Sequence, residues 1–482
     1  MLFDIKLDKN SPVYIQIGNY IKSMILNGMI RKEEKLPSTR ELSNMLKVSR
    51  NTIIYAYEYL QDEGLIYTKR GKGAFVCDVS INLKKDNWNI KWDRLINDYG
   101  KSAEKLDIIK HEVPWKKGMI SFKSISPDEN LFDVEEFKKS FLNIMSLERE
   151  KILNYGYAIG YKYLIEYLID YMKNKGIDTS NKKILITNGF TEAFDIILDC
   201  LVNKGDKILC ENPTHNTAIK IMKLHGINPI GIDLDKDGVN IDSLKKVLED
   251  NQNIKLMYLI PSYHNPTGIV MSPKKRIEVY NILKSHNIPI IEDGFNEELR
   301  YSGDHVSPIA ALAGKSNGIV YLGSFSKILF PGIRIGWILG DSDLINYLES
   351  VKRSKNIHTS FLDQAILYQY LKEGNFEKYI KKARKIYKNK YEIALKYARE
   401  YIEAEDILGE GGLHIFIKLK DIKSRDVLDR CYKKGVVFTP GDIFYVDNKG
   451  DNSFRLGISR LSIEDIKKGI KIIGESIKEI KK

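Results

Sequence analysis

The chain has 482 residues, 43% hydrophobic and 29% charged, which is long enough for two or three domains with ordinary buried cores. No apolar run of about 18 residues occurs, which excludes a membrane-spanning helix, and the opening Met1-Leu2-Phe3-Asp4-Ile5-Lys6 lacks a secretory pattern. Net charge is +12, which favours a polyanionic partner; Cys77, Cys200, Cys210 and Cys431 are scattered without metal-type spacing, so a reducing cytoplasm and no metal site are expected.

Residues 1–77 hold 12 Lys/Arg and 8 Asp/Glu, more basic per residue than the remainder. From Pro12 to about Asn27, Val13, Ile17, Tyr20, Ile21, Met24 and Ile25 recur at helical spacing, and Gly28 ends the run. Ser38 and Glu41 form a capping-box signature for a second, short helix. After the turn at Met45-Leu46-Lys47-Val48, Ser49 caps a third helix with Ile53, Ala56, Tyr57 and Leu60 on its inner face. Arg50, Asn51, Ile54, Tyr55 and Glu58 then face outward. Two helices joined by a short turn make a helix-turn-helix, whose second helix enters the major groove. Leu65-Ile66-Tyr67-Thr68 and Ala74-Phe75-Val76 flank a basic turn with Lys69, Arg70 and Lys72, a wing suited to phosphates.

Pro37-Ser38-Thr39-Arg40-Glu41-Leu42, Val48-Ser49-Arg50-Asn51-Thr52, Glu63-Gly64-Leu65 and Gly71-Lys72-Gly73-Ala74-Phe75-Val76 resemble the winged helix of GntR-type regulators over about residues 12–76. The resemblance implies DNA contacts from Arg40, Arg50, Thr52 and the wing, and the outward surface adds Ser38, Ser49, Asn51 and Tyr55.

Residues 78–117, with Trp88, Trp92 and Trp115, read as a linker, partly helical over 92–99. From 118 to 482 the pattern alternates strand and helix, with a large part over about 150–355 and a small part in the remainder. Lys183-Ile184-Leu185-Ile186 leads to Gly189-Phe190-Thr191, and Lys207-Ile208-Leu209-Cys210 to Pro213-Thr214-His215. Leu256-Met257-Tyr258-Leu259-Ile260 leads to Asn265-Pro266-Thr267-Gly268, Ile288-Pro289-Ile290-Ile291 to Asp293, and Ile319-Val320-Tyr321-Leu322 to Ser324, Ser326 and Lys327. Such alternation predicts a multidomain α/β chain with a mostly parallel, helix-covered sheet, whose polar motifs converge at strand ends.

Each motif has a role if the ligand is pyridoxal phosphate. Lys327 would form the Schiff base, and Asp293, held ionised beside the pyridine nitrogen, would keep the ring electron-withdrawing. Asn265 would donate to the phenolic oxygen, and His215 would stack on the ring. The helix start at Gly189-Phe190-Thr191, with Ser324, Ser326 and Arg334, would clamp the phosphate. Arg455, in Phe454-Arg455-Leu456-Gly457, would take a substrate or effector carboxylate.

The order Tyr155-Gly156, Gly160, Gly189, Asn265, Asp293, Lys327, Arg334, Arg455 resembles fold-type I aminotransferases, and the resemblance adds Tyr155 to the cofactor contacts. With the winged helix in front, the chain is similar to the MocR/GabR branch of GntR regulators. That resemblance implies a homodimer in which the winged helix of one chain packs on the other's large domain. It also implies an amino acid, an amine or the cofactor itself as effector. The sequence departs from the aminotransferase pattern at Phe295, where a tyrosine is usual, at Thr191, at His215 and at Ile165. Phe295 lacks the hydroxyl that would donate to the cofactor's phenolate, so cofactor binding is expected to survive and transamination to be slow. The competing reading is an active aminotransferase with an appended DNA-binding domain.

Overall fold

The computed structural model describes residues 5, 7–8, 11–78, 89–301, 305–447 and 449–481; Trp88 and the linker stretch 79–88 lie outside them. The chain divides into two compact units, Met1–Ile96 and Asn97–Lys482. No helix among the described residues is long and apolar enough to cross a membrane.

In the first unit, helices α1 (Val13–Leu26), α2 (Thr39–Leu46) and α3 (Arg50–Asp62) precede the antiparallel hairpin of β1 (Ile66–Lys69) and β2 (Gly73–Val76). The apolar faces of all three helices meet, burying Ile17, Ile21, Leu42, Ile53 and Leu60. The capping box forms: the Glu41 N–H donates to the Ser38 hydroxyl at 3.2 Å, and the Ser38 N–H donates to the Glu41 carboxylate at 2.7 Å. Lys47, at φ 53°, closes α2 in the left-handed region, and the Thr52 N–H donates to the Ser49 hydroxyl at 3.1 Å to open α3.

In the second unit, β3 (Ile120–Ser121) comes first, and the principal sheet follows. Its strands are β4 (Lys182–Thr187), β5 (Lys207–Asn212), β6 (Ile230–Asp235), β7 (Gly238–Val239), β8 (Ile254–Leu259), β9 (Ile290–Asp293), β10 (Ile319–Ser324) and β11 (Gly336–Asp341). They lie in the order β4-β11-β10-β9-β8-β5-β6-β7. The run from β10 through β9, β8 and β5 to β6 is parallel, whereas β11 is antiparallel to both neighbours and β7 to β6. Alternate residues sort to opposite faces: Ile184, Met257 and Tyr321 join one core, and Leu185, Tyr258 and Leu322 the other. Helices cover both faces, so these strands read as continuous apolar runs.

A smaller sheet is built from β12 (Asp406–Leu408), β13 (His414–Lys418), β15 (Thr439–Pro440) and β16 (Ser453–Gly457), while β14 (Val436–Val437) pairs with β3. The boundary expected near residue 355 falls instead inside the helix Asn375–Tyr401. Its first half gives Phe376, Tyr379, Ala383 and Tyr387 to the large core, and its second half gives Tyr391, Ala394 and Ala398 to the small one. One apolar stripe sustained along 27 residues serves both parts.

The expected linker also divides differently. Residues from Asn97 onward belong to the second unit, where the helix Asp98–Lys105 packs on the helix Asn216–Leu224. Half-burial of Leu106 and Ile108 holds this segment to the domain.

Deleting the Ser38 hydroxyl removes half of the capping box. Ser38→Ala is expected to destabilise the first unit by about 0.5–2 kcal/mol, read as faster amide hydrogen exchange in α2 and α3.

Candidate functional site

The sequence-predicted residues meet at the C-terminal ends of the parallel strands. They line a cavity of about 290 Å³ that includes Phe190, Thr191, His215, Asn265, Asp293, Phe295, Ser324, Ser326, Lys327, Arg334 and Arg455. Parallel pairing sets Leu322 of β10 beside Asp293 of β9, so Asp293 and the Ser324–Lys327 turn leave the sheet at one end. Gly189 opens the helix Phe190–Leu201 at φ 86°, and a Cβ there would come within 3.3 Å of the Arg334 guanidinium. No side chain caps that helix, so its first amides face the pocket without a side-chain acceptor.

Asp293 is buried, and the Tyr258 hydroxyl donates to its Oδ2 at 2.8 Å. Burial pushes the carboxyl up to about 7, against the Tyr258 hydrogen bond. The expected permanent carboxylate is therefore conditional: a cation must stand beside Asp293 to keep it charged near neutral pH. Tyr258 escaped the sequence reading because it lies within an apolar strand, where its phenol looked like core. The signal was its place next to the strand ending in Asp293.

Lys327 makes no hydrogen bond or ion pair among the described residues, and burial, with Arg455 and Arg334 nearby, brings its amine down to about 8. Arg334 donates to the Asn188 carbonyl at 2.8 Å and to the Ser326 hydroxyl at 3.4 Å. Arg455, on β16, donates to Asn265 Oδ1 at 2.7 Å, which leaves the Asn265 amide nitrogen as the donor toward the pocket. Burial lowers the Arg455 guanidinium to about 9, and its Nε has no partner among the described residues. His215 sits against Phe190, with ring centroids 5.0 Å apart. Burial first, then Arg455 and Lys327, lowers its imidazole to about 3, so it is a flat neutral ring at neutral pH. Phe295 lines the cavity and packs against His414 at 6.4 Å between centroids. Asn296, in the loop after β9, and Asn216 and Thr217, at the start of the helix Asn216–Leu224, also line the cavity and were missed, because they carry no chemical pattern of their own.

Tyr155, expected as a cofactor contact, does not line this pocket of its own chain. It is 78% exposed, and its ring stands against that of His358 with centroids 5.9 Å apart. Nearby, the buried Lys352 ammonium donates to the carbonyls of Ala158 at 2.8 Å and Ile186 at 2.6 Å, which fixes Ala158 against β4.

In the first unit Ser38, Arg40, Ser49, Arg50, Asn51 and Tyr55 are exposed and Thr52 is half-buried. The Arg50 Nε donates to the Thr39 hydroxyl at 3.3 Å, joining the starts of α2 and α3. Arg70 and Lys72 stand at the exposed hairpin tip, while Lys69 lies over the rings of Tyr67 and Phe75 at 5.1 and 5.2 Å.

Comparison with known proteins matches residues 123–473 to the family of class I and II aminotransferases and residues 13–76 to the gntR family of bacterial regulatory proteins. The chain belongs to the class I and II aminotransferase family. Its first unit is a GntR domain, and the fusion of the two is of the MocR type. The uncharacterized HTH-type transcriptional regulator YdfD of Bacillus subtilis is 29% identical over 98% of each chain. The aromatic-amino-acid aminotransferase 1 of Thermococcus litoralis is 32% identical over 75% of this chain and 88% of its own. Among solved structures, the kynurenine aminotransferase of Pyrococcus horikoshii, in complex with PMP, superposes with a TM-score of 0.73 at 30% identity, over 84% of this chain and all of that one.

The pocket of this aminotransferase domain fits the family cofactor, pyridoxal phosphate. Three cations, an uncapped helix start and two serine hydroxyls suit a phosphate, and the half-neutral Asp293 suits a basic ring nitrogen. When bound, that cofactor supplies an aldehyde and an electron-withdrawing ring. Asp293 would hold a proton at the nitrogen, steadied by Tyr258, and His215 would flank the ring.

An amine attacks an aldehyde only when neutral. The rate at which the cofactor-free protein takes up pyridoxal phosphate covalently should rise with pH to a midpoint near 8, falling about tenfold per pH unit below it. In Arg455→Ala, with one neighbouring cation removed, the midpoint should move up. Stopped-flow absorbance against pH reads both; an unshifted lysine midpoint in the parent would contradict the buried, cation-flanked setting.

Proposed function

We propose that the protein is a transcription regulator that binds promoter DNA through its winged helix and senses a small amine-bearing ligand through pyridoxal phosphate held at Lys327. The observation that supports this most is the coexistence of two complete sites in one chain. One is an exposed polar surface on a winged helix, and the other is a cation-rich pocket with a free, partly neutral lysine. Ser38, Arg40, Ser49, Arg50, Asn51, Thr52 and Tyr55 would meet the duplex at the helices, with Lys69, Arg70 and Lys72 at the wing. Phosphate contacts would give affinity, and Arg50 would be the principal reader of bases. The reading places the protein in the cytoplasm, where such DNA is found.

A ligand that competes with Lys327 for the cofactor must itself be a primary amine. Arg455, buried without an anion, favours a carboxylate on the same molecule, so an amino acid is the preferred effector. We also infer a homodimer. Leu147, Leu153, Tyr155, Tyr157 and Ile357 are large and exposed, apolar side chains of the kind that association would cover. The swapped winged-helix arrangement rests on the MocR resemblance. A working aminotransferase is the second reading, favoured by the 32% identity to an aromatic-amino-acid aminotransferase. Phe295 weighs against it, since no hydroxyl stands there to donate to a phenolate.

Arg50→Ala should weaken binding to the native promoter by about 1–3 kcal/mol in a salt titration of affinity. Unchanged affinity would remove α3 from the interface. Lys327→Ala should abolish the borohydride-fixable cofactor adduct, mapped by peptide mass. Arg455→Ala should weaken a carboxylated effector by about 2–5 kcal/mol while cofactor uptake persists. Steady turnover at about 1–1000 per second with an ordinary amino donor would make the enzyme reading the better one.

A further inference from the structure

Consecutive residues of the loop after β9 divide between two cavities. Asn296 lines the cofactor pocket, whereas Glu297 and Arg300 line a second cavity of about 360 Å³ that shares no lining residue with the first. The second cavity is thus larger than the cofactor pocket and within the range of small-ligand sites, roughly 300–1000 Å³. Its walls come from both parts of the domain: Tyr263 follows β8, Tyr391 and Leu395 lie on the long helix Asn375–Tyr401, and Gly409 follows β12 of the small sheet.

Three polar atoms of these lining residues are buried and have no partner among the described residues: Glu297 Oε1, Arg300 Nη1 and the Tyr391 hydroxyl. Glu297 and Tyr391 are each more than nine-tenths buried. The other carboxylate oxygen of Glu297 accepts from the Lys175 ammonium at 2.8 Å and the Tyr321 hydroxyl at 3.1 Å. Burial opposes the charge of Glu297, but Lys175 outweighs it and holds the carboxyl below its ordinary range, so the bare oxygen belongs to a carboxylate. A buried acceptor, a buried guanidinium donor and a hydroxyl left unmet each cost free energy that a ligand or water must offset.

We propose that this cavity binds a small zwitterion of the amino-acid class. The ligand's ammonium meets Glu297, its carboxylate meets Arg300, and the Tyr391 hydroxyl takes a further hydrogen bond. Glu297 and Arg300 bring opposite charges to one lining, which matches a zwitterion better than a simple anion. Glu410, whose Oε1 accepts from the Val270 N–H at 2.9 Å, and His305 also line it, and Leu395 offers apolar surface to a side chain. The site is separate from Lys327 and needs no cofactor. Because its walls come from both parts of the domain, occupancy strengthens their packing against each other.

The test uses the full-length Arg455→Ala protein, in which the carboxylate site of the cofactor pocket is disabled. Each common amino acid is offered at millimolar concentration in equilibrium dialysis, and hits are repeated by calorimetry. At least one should bind. Tyr391→Phe, which keeps the ring, and Arg300→Met should each weaken it roughly tenfold or more. If Arg300→Met does not fold, Tyr391→Phe decides. Failure of every amino acid to bind, or binding indifferent to Tyr391→Phe, would overturn the proposal and leave ordered water as the occupant.

Discussion

Positive charge gathered at one cavity without an internal counterion organises the large domain. Lys327, Arg334 and Arg455 converge on one cavity, and none forms an ion pair among the described residues. The hydrogen bonds of Arg334 and Arg455 go to carbonyl, hydroxyl and amide oxygens, which orient them without cancelling charge. The one carboxyl on the lining, Asp293, is itself pushed toward neutrality by burial. Such a cavity is poised for a dianion and a second, smaller anion. Lys327 follows and Arg334 precedes a strand of the large sheet, while Arg455 comes from the small one, so the packing of the two parts keeps three like charges together.

The large sheet contributes its part because each polar motif follows an apolar strand, and that is also why so much was legible in the sequence. Continuous runs such as Leu256-Met257-Tyr258-Leu259-Ile260 announce strands buried on both faces, and the residues after them must then lie at one edge. The capping box at Ser38 and Glu41 was equally plain, because its chemistry is local. What stayed hidden depends on contacts distant in sequence. Tyr258 acquires its role from a neighbouring strand. Tyr155 lies exposed against His358, a residue far along the chain. The long helix Asn375–Tyr401 shows one uninterrupted stripe, and only the two cores reveal that it belongs to both.

Arg455 joins the two parts of the domain. Its strand belongs to the small sheet, yet its side chain reaches Asn265 in the large part and, at 3.3 Å, the carbonyl of Lys123. The residue that would recognise a ligand is therefore also one that registers the small part against the large. Binding at this guanidinium and packing across the seam draw on the same side chain.

The span of those contacts has a consequence for biosynthesis. Arg455 lies 190 residues from Asn265 and 332 from Lys123 along the chain. The ordered contacts of α1, α2, α3 and the hairpin, by contrast, all close within the first 78 residues. Contacts of short sequence separation form first, and amino-terminal domains fold as they emerge from the ribosome. The DNA-binding unit can thus be folded on a nascent chain whose cofactor pocket still lacks its last cation.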